Sequence, residues 1–140
     1  MSLIKTGYQI QEIDPVINYD LNTFISRPVK PTEKFDIIFS TSVIEHVKDD
    51  EKFLNQVDSL LTNGGYYIMT CDFKSDWQDG MKKPKVNHRL YNRKDMEYRL
   101  ISKMPNCEFI NPPNFSMSNN YFLFENIKYQ FATFVVKKIK

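Results

Sequence analysis

The hydrophobic pattern is strongest in the middle of the chain, where two apolar runs flank an amphipathic stretch. Residues 35–40 form a short apolar run of the kind found in a strand buried on both faces, and residues 66–71 form a second run. Between them Asp49 is placed to cap a helix, and Asn63-Gly64-Gly65 to end it. This helix would carry one apolar stripe, made of Phe53, Leu54, Val57, Leu60 and Leu61. Strand, helix, glycine turn and strand in this order predict a right-handed βαβ unit with parallel strands.

A second helix is predicted in the last third of the chain. Asn92 and Asp95 have the spacing of a capping box, and the helix that follows would bury one stripe, made of Met96, Leu100, Ile101 and Met104. Upstream of the βαβ unit, residues 8–13 predict a short strand that ends at Asp14-Pro15. Residues 16–31 predict no regular element.

The C-terminal part of the chain predicts an antiparallel hairpin. Residues 121–124 and 129–136 are aromatic and β-branched, and they flank Glu125-Asn126. Before them, Asn111-Pro112-Pro113-Asn114 predicts a break. Together these elements predict an α/β fold in a single domain over residues 1–140, with a small, mostly parallel sheet that the hairpin closes.

Composition and charge narrow the choice of partners. The formal net charge is +2, from 19 basic and 17 acidic residues, so no strong field attracts nucleic acid or an anionic membrane. No apolar run approaches the roughly 20 residues that a membrane span needs. Cys71 and Cys107 lack metal-ligand spacing and predict a reduced, cytoplasmic setting.

The middle of the chain resembles a known enzyme family. Residues 35–47, FDIIFSTSVIEHV, are similar to the fourth strand and following turn of class I S-adenosylmethionine-dependent methyltransferases of the small-molecule type. The similarity continues through Asp50, Phe53-Leu54, Leu60-Leu61, Gly64-Gly65 and Thr70, and residues 91–100 resemble the family's helix near the methyl acceptor. The resemblance implies an incomplete Rossmann-like sheet, S-adenosyl-L-methionine as cofactor and methyl transfer to a small-molecule acceptor.

The resemblance also implies which residues face the cofactor. Asp14 is similar to the acidic residue that holds the ribose, and Asp20 to the residue that contacts adenine. Ser40, Thr41 and Ser42 follow the similar strand. Ligands of open α/β sheets bind beyond the carboxyl ends of the strands, where a carboxylate can accept both ribose hydroxyls. Only five residues separate Asp20 from Asp14, which is short for the helix and strand that intervene in the family.

The acceptor side is expected around Glu45, His46, His88 and Tyr91, with the loop from Asp72 to Arg89 and its Trp77 as lining. Each of these residues also has an ordinary structural interpretation, such as a solvated loop histidine for His88. Some relatives bind a divalent metal through a Glu-x-x-Glu-His segment. Here Ser42 stands where the first Glu would fall, so no metal is expected.

A Gly-rich turn that would carry the cofactor is not found in this sequence. The four glycines, Gly7, Gly64, Gly65 and Gly80, do not form it, and Gly7 corresponds to the loop that enters the family's second strand. Two interpretations follow. The chain is the later part of a catalytic methyltransferase, or it is a non-catalytic or subunit-type domain whose sheet a second copy or a partner chain completes.

Overall fold

The computed structural model describes residues 7–15, 20–27, 34–111, 115 and 121–140. They fall into two compact units, one up to Thr32 and one from Glu33 to Lys140, and each is described by itself. Residues 112–114 of the predicted break lie outside the described residues.

The first unit contains one short helix, α1 (Leu21–Ser26). Asp20 caps this helix, because its carboxylate accepts the backbone N–H of Thr23 at 2.7 Å. Phe24 is buried, and the guanidinium of Arg27 lies 4.2 Å from the centre of its ring.

Two predictions for this unit are wrong. Residues 8–13 have no regular structure, although their alternating pattern favours a strand. Residues 16–31 do hold a regular element, the helix α1, which has only six residues. A helix of that length makes fewer than two turns, so it leaves no periodic signal in the sequence.

The second unit is built on a five-stranded sheet. Its strands are β1 (Phe35–Thr41), β2 (Leu61–Phe73), β3 (Cys107–Phe109), β4 (Phe122–Phe124) and β5 (Ile127–Lys138). A 3-10 turn (Ile44–His46) and the helix α2 (Asp50–Leu60) connect β1 to β2. A π-helical segment (Asp95–Leu100), continued by a 3-10 turn (Ile101–Lys103), precedes β3.

The predicted βαβ unit is confirmed in the parallel pairing of β1 and β2 across α2. Asp49 caps α2, because its carboxylate accepts the N–H of Lys52 at 3.0 Å. The predicted end of the helix is wrong. Leu60 is its last residue and Leu61 already has extended backbone, so β2 begins before the glycines.

The two glycines lie instead at an irregularity inside β2. The pairing of β1 with β2 shifts register between Phe35, opposite Leu61, and Ile37, opposite Tyr66. Gly64 has a φ of 81°, and a Cβ at Gly65 would stand 3.0 Å from the backbone oxygen of Asp36. Glycine is therefore required here because β1 and β2 approach closely at an unusual backbone conformation.

Strand β5 is the hub of the sheet, because it pairs antiparallel with three other strands. It pairs with β2 along Gln130–Lys137, with β3 near its own C-terminal end and with β4 near its own N-terminal end. The strand order is therefore β1-β2-β5-β3, and β4 pairs with another part of β5. The expectation of a mostly parallel sheet is therefore wrong for the described strands, where β1 with β2 is the parallel pair. The hairpin is confirmed: β4 and β5 flank a turn at Glu125-Asn126, both at positive φ.

Strand β1 lies at the edge of the described sheet, paired with β2. The side chains of Ile37 and Phe39 are 53% and 59% exposed. The prediction that this run is buried on both faces is therefore wrong. An apolar run does not show whether a second layer or a further strand covers it.

The capping box of the second helix is confirmed. The Asn92 side chain accepts the N–H of Asp95 at 3.0 Å, and the Asp95 carboxylate accepts the N–H of Asn92 at 3.1 Å. Of the predicted stripe, Met96, Leu100 and Met104 are buried and Ile101 is partly buried. The backbone that follows is mainly π-helical, which the periodic pattern did not predict.

The core of this unit joins one face of α2 to the inward side of β2. Leu54 and Val57 of α2 are buried, as are Tyr67, Met69 and Cys71, which alternate along β2. None of the helices in the described ranges is long and apolar enough to cross a membrane.

Candidate functional site

The carboxyl end of β1 is held in an unusual backbone conformation. Ser42 has a φ of 51°, in the left-handed region that non-glycine residues rarely occupy. Its N–H donates to the backbone oxygen of Thr70 at 3.2 Å and to the Thr70 hydroxyl at 3.0 Å. The Ser40 hydroxyl lies 2.7 Å from that of the buried Tyr67, and Thr41 is exposed. Backbone in this region costs free energy and persists where neighbours fix it, which is common at ligand sites.

The 3-10 turn after β1 places a carboxylate inside the protein. Glu45 is fully buried, and no N–H or hydroxyl group among the described residues donates to either of its carboxylate oxygens. Its backbone oxygen accepts the N–H of His88 at 2.7 Å, which ties the turn to the long loop after β2. An ionised carboxylate without a partner is costly to bury, so this position needs a proton or a cation.

A second carboxyl group lies beside it. Asp72, near the carboxyl end of β2, is 5% exposed, and its Oδ2 accepts the side-chain N–H of Asn87 at 2.7 Å. Burial, the charge of Asp72 and a hydrogen bond between the two carboxyl groups raise the pKa of Glu45 to about 7, although its own backbone amide and His46 offset part of the effect.

The segment 74–90 covers these two carboxyl groups. Its apolar contacts are Trp77 and Leu90, which pack with Ile127 and Tyr129 of β5. Two polar contacts add to those of Asn87 and His88: Nδ1 of His46 lies 3.1 Å from the Val86 oxygen, and the Lys85 N–H donates to the Glu125 carboxylate at 2.9 Å.

Tyr91 connects three elements beneath this loop. Its N–H donates to the backbone oxygen of Asp72 at 3.0 Å, and its hydroxyl donates to the Asp50 carboxylate at 2.8 Å and to the Ile44 oxygen at 3.2 Å. Arg99 binds the same carboxylate through two nitrogens, at 3.0 and 2.6 Å. Burial alone would raise the pKa of Asp50, but the hydrogen bonds from Arg99 and Tyr91 outweigh it and hold this pKa below its usual value.

The structure brings together the acceptor-side candidates of the second unit. Glu45 and His46 share the 3-10 turn, the His88 backbone bonds to it, and the Tyr91 hydroxyl reaches Ile44. Glu45 and Tyr91 are buried, whereas both histidines are exposed. Their acceptor roles stay predictions.

The cofactor candidates of the first unit have ordinary local surroundings. Asp14 is partly buried in irregular backbone rather than at the end of a strand, which removes the strand-end argument for it. Asp20 is exposed and caps α1, the helix that follows it. Ribose and adenine contacts by these two residues stay predictions.

Sequence reasoning missed Asp72, Asn87 and the pair of Asp50 with Arg99. One signal was available: Asp72 interrupts the apolar run that ends in Phe73, and a charged residue at such a strand end is often functional. The partners of these side chains lie 15 and 49 positions away, and no spacing rule connects them. Among the described residues, no group of three or more His, Cys, Asp or Glu side chains is arranged to hold a metal ion.

Comparisons with solved structures establish the fold. TehB from Haemophilus influenzae is 21% identical, with a TM-score of 0.55 over 86% of this chain and 39% of that chain. An S-adenosylmethionine-dependent methyltransferase from Clostridium acetobutylicum is 15% identical, with a TM-score of 0.48 over 79% of this chain and 61% of that chain. The chain therefore spans less than two thirds of the length of either. Together with the βαβ unit and the antiparallel β5, the match to TehB shows that this chain shares an α/β fold with that protein.

The family follows from the sequence comparison. The model of the family described as "methyltransferase domain" matches residues 16–110, which is more than half of the chain. The chain belongs to this family, and the resemblance drawn from residues 35–47 is confirmed. No curated protein matches the chain significantly.

Proposed function

We propose that this chain takes part in methyl transfer from S-adenosyl-L-methionine to a small-molecule acceptor. The observation that carries the proposal is the end of β1, where Ser42 holds left-handed backbone against Thr70 beside the parallel strand β2. Ligands of α/β sheets bind beyond the carboxyl ends of parallel strands. This site lies within residues 16–110, the part that matches the methyltransferase family.

In this proposal the segment Ser40-Thr41-Ser42 forms one wall of the cofactor site. The acceptor lies on the side of the 3-10 turn and the loop after β2. A sulfonium methyl donor carries its own activated leaving group, so the protein's main task is to position donor and acceptor. A catalytic triad is not required for such a reaction.

Titration calorimetry with S-adenosylhomocysteine tests the proposal. We expect heat of binding for the chain, and we expect Ser42→Asn to weaken binding by about tenfold, because asparagine tolerates left-handed backbone but adds bulk where the ligand approaches. Ser59→Asn, on the exposed side of α2, is the matched control and should bind like the parent chain. A folded chain that gives no heat at millimolar ligand would exclude cofactor binding by this chain alone.

A second candidate is a subunit-type domain that acts together with another chain. The observation that favours it is β1, an edge strand whose Ile37 and Phe39 side chains are more than half exposed. Edge strands with exposed apolar side chains tend to pair with further chains. In this proposal a second copy or a partner protein covers β1 and completes the sheet.

A further inference from the structure

The buried carboxyl groups of Glu45 and Asp72 suggest what kind of acceptor the site takes. They lie just beyond β1 and near the end of β2, where parallel strands present their carboxyl ends. Glu45 is 0% exposed and Asp72 5% exposed, so water does not solvate either carboxyl group well.

The hydrogen bonds around the pair are unequal. Asp72 accepts one hydrogen bond, from Asn87 at 2.7 Å. No N–H or hydroxyl group among the described residues donates to either oxygen of Glu45, whose carboxyl group interacts instead with that of Asp72. Structural carboxylates in protein interiors almost always accept hydrogen bonds from such donors, as Asp50 does here from Tyr91 and Arg99. A buried carboxyl group that has a second carboxyl group as its polar neighbour needs a proton or a cationic ligand.

The groups that face Glu45 supply little positive charge. Besides Asp72, its electrostatic neighbours are Tyr67 and Cys71 of β2 and Tyr129 of β5, whose pKa values are all raised by burial and by the charge of Glu45 itself. They therefore stay neutral near pH 7. His46, on the same turn, is the one neighbour that favours the ionised form, and its ring is exposed.

We propose that Glu45 and Asp72 form a carboxyl pair that binds the amino group of the methyl acceptor, so that the substrate class of the proposed methyltransferase is an amine. An ammonium group supplies both the positive charge and the N–H donors that Glu45 lacks. An anionic acceptor, such as a carboxylate, is excluded by repulsion from the pair. Segment 74–90 bonds to both residues, through the side chain of Asn87 and the backbone of His88, so access of an amine to the pair requires these two hydrogen bonds to open.

The same pair gives the transfer step a place for its proton. One N–H proton of the ammonium passes to the Glu45 carboxylate, which frees the nitrogen lone pair. That lone pair forms the new N–CH3 bond while the S–CH3 bond of the sulfonium donor breaks and its electrons remain on sulfur. The product is a methylammonium ion and a neutral thioether, so charge and atoms balance. This inference rests on the proposed function for the transfer, but the binding of an amine does not.

Carboxyl-carbon NMR with a simple probe tests the amine site without the methyl donor. With 13C label in the carboxyl groups, n-butylammonium chloride should shift the Glu45 and Asp72 signals and saturate, whereas sodium butyrate at equal ionic strength should not. Glu45→Gln should weaken the binding seen at the Asp72 signal at least about tenfold, because it removes one of the two charges of the pair while keeping the shape. Glu97→Gln, on the π-helical segment, is the control and should respond like the parent chain.

Three results would overturn the inference: no response to the ammonium probe, an equal response to butyrate, or an unchanged response in Glu45→Gln. Asp72→Asn serves as a second variant, read at the Glu45 signal, if Glu45→Gln does not fold. A chain that responds to butylammonium but gives no heat with S-adenosylhomocysteine would keep the amine site and refute cofactor binding. The opposite pattern would keep the proposed function and refute the amine site.

Discussion

Two carboxyl groups of this protein are equally buried but differ in the hydrogen bonds that they accept. Asp50 is 1% exposed and receives hydrogen bonds from the Tyr91 hydroxyl and from two nitrogens of Arg99. Glu45 is equally buried, yet among the described residues its oxygens meet no donor. Similar burial thus leaves the pKa of Asp50 low and raises that of Glu45 to about 7. The hydrogen-bond partners of a buried carboxyl group, rather than its degree of burial, therefore determine whether it stays ionised.

The raised pKa of Glu45 predicts a pH dependence of stability. The group binds its proton more tightly in the folded chain, with a pKa of about 7 against 4.5 for an ordinary glutamate. Its contribution to the free energy of unfolding is therefore highest below pH 4.5 and is lost as pH rises towards 7. The loss is roughly 3 kcal/mol by the free-energy equivalent of a pKa shift.

Urea unfolding between pH 4.5 and pH 8 would measure this loss. We expect Glu45→Gln to remove it, so that the variant gains stability relative to the parent chain as pH rises. Glu97→Gln is the control and should follow the parent curve. A variant that runs parallel to the parent chain across this range would contradict the pKa given for Glu45.

Individual residues also show where sequence reasoning fails. The cap at Asp49 and the reciprocal bonds of Asn92 and Asp95 were predictable, because each depends on neighbours within three positions. The partner of Asp72 and that of Asp50 were not, because the sheet and the loop bring them together from distant positions. Chemistry that depends on such pairs becomes visible only in three dimensions.

At the scale of elements, α2 and the π-helical segment are joined by a partly buried ion pair. Asp50 begins α2 and Arg99 lies on the π-helical segment, with a shortest distance of 2.6 Å between their charged atoms. Glu51 adds weaker contacts to Arg99 and Lys103 at the surface. The Arg99 bond spans 49 positions and fixes the two helical segments against each other at the edge of the candidate site.

Arg99→Ala should therefore destabilise the chain by about 2 to 3 kcal/mol, since it leaves the Asp50 carboxylate buried with only the Tyr91 hydroxyl. The lower value is favoured because the Arg99 side chain is 33% exposed. Arg93→Ala removes an ion pair with Glu97 from the same segment, but the Arg93 side chain is 66% exposed. That control should cost at most about 0.5 kcal/mol. Equal losses for the two variants in thermal unfolding would refute the role given to Asp50.

Among the elements, the local βαβ unit and the hairpin of β4 with β5 were predicted correctly, whereas the pairing of β5 with β2 and β3 was not. The stripe that includes Leu54 and Val57 follows from helical periodicity, and that stripe is buried. The sequence predicted β5 as one strand of a hairpin, and β5 does form that hairpin with β4. The longer pairing of β5 with β2 was not predicted, because the paired residues are distant in the sequence. The hydrophobic pattern of a sequence predicts that a strand exists, but it does not predict which strands pair with it.

In the second unit, β1 forms one edge of the described sheet. Ile37 and Phe39 of β1 are 53% and 59% exposed, and among the described strands β1 pairs with β2 alone. An apolar edge of this kind favours association with another chain. Association through β1 is expected under the subunit proposal and is not required under the proposal of a chain that works alone.

Sedimentation measurements over a range of concentrations test it. If β1 is an interface between copies of this chain, the parent chain should associate as its concentration rises, and the double variant Ile37→Lys, Phe39→Lys should stay monomeric because lysine blunts an edge strand. Tyr98→Lys changes a side chain that is 73% exposed on the π-helical segment, and it should associate like the parent chain. A parent chain that is monomeric at all concentrations and binds S-adenosylhomocysteine would refute the subunit proposal in favour of the proposal of a chain that works alone.

The position of β5 as the hub of the sheet has a consequence for how the protein is made. During synthesis, β1, α2 and β2 leave the ribosome together and can form their parallel unit at once. The antiparallel side of β2 stays open until Ile127 to Lys138 have been translated, because among the described strands β5 is the one that pairs with this side of β2. Until then the nascent chain exposes an apolar strand edge of the kind that chaperones bind.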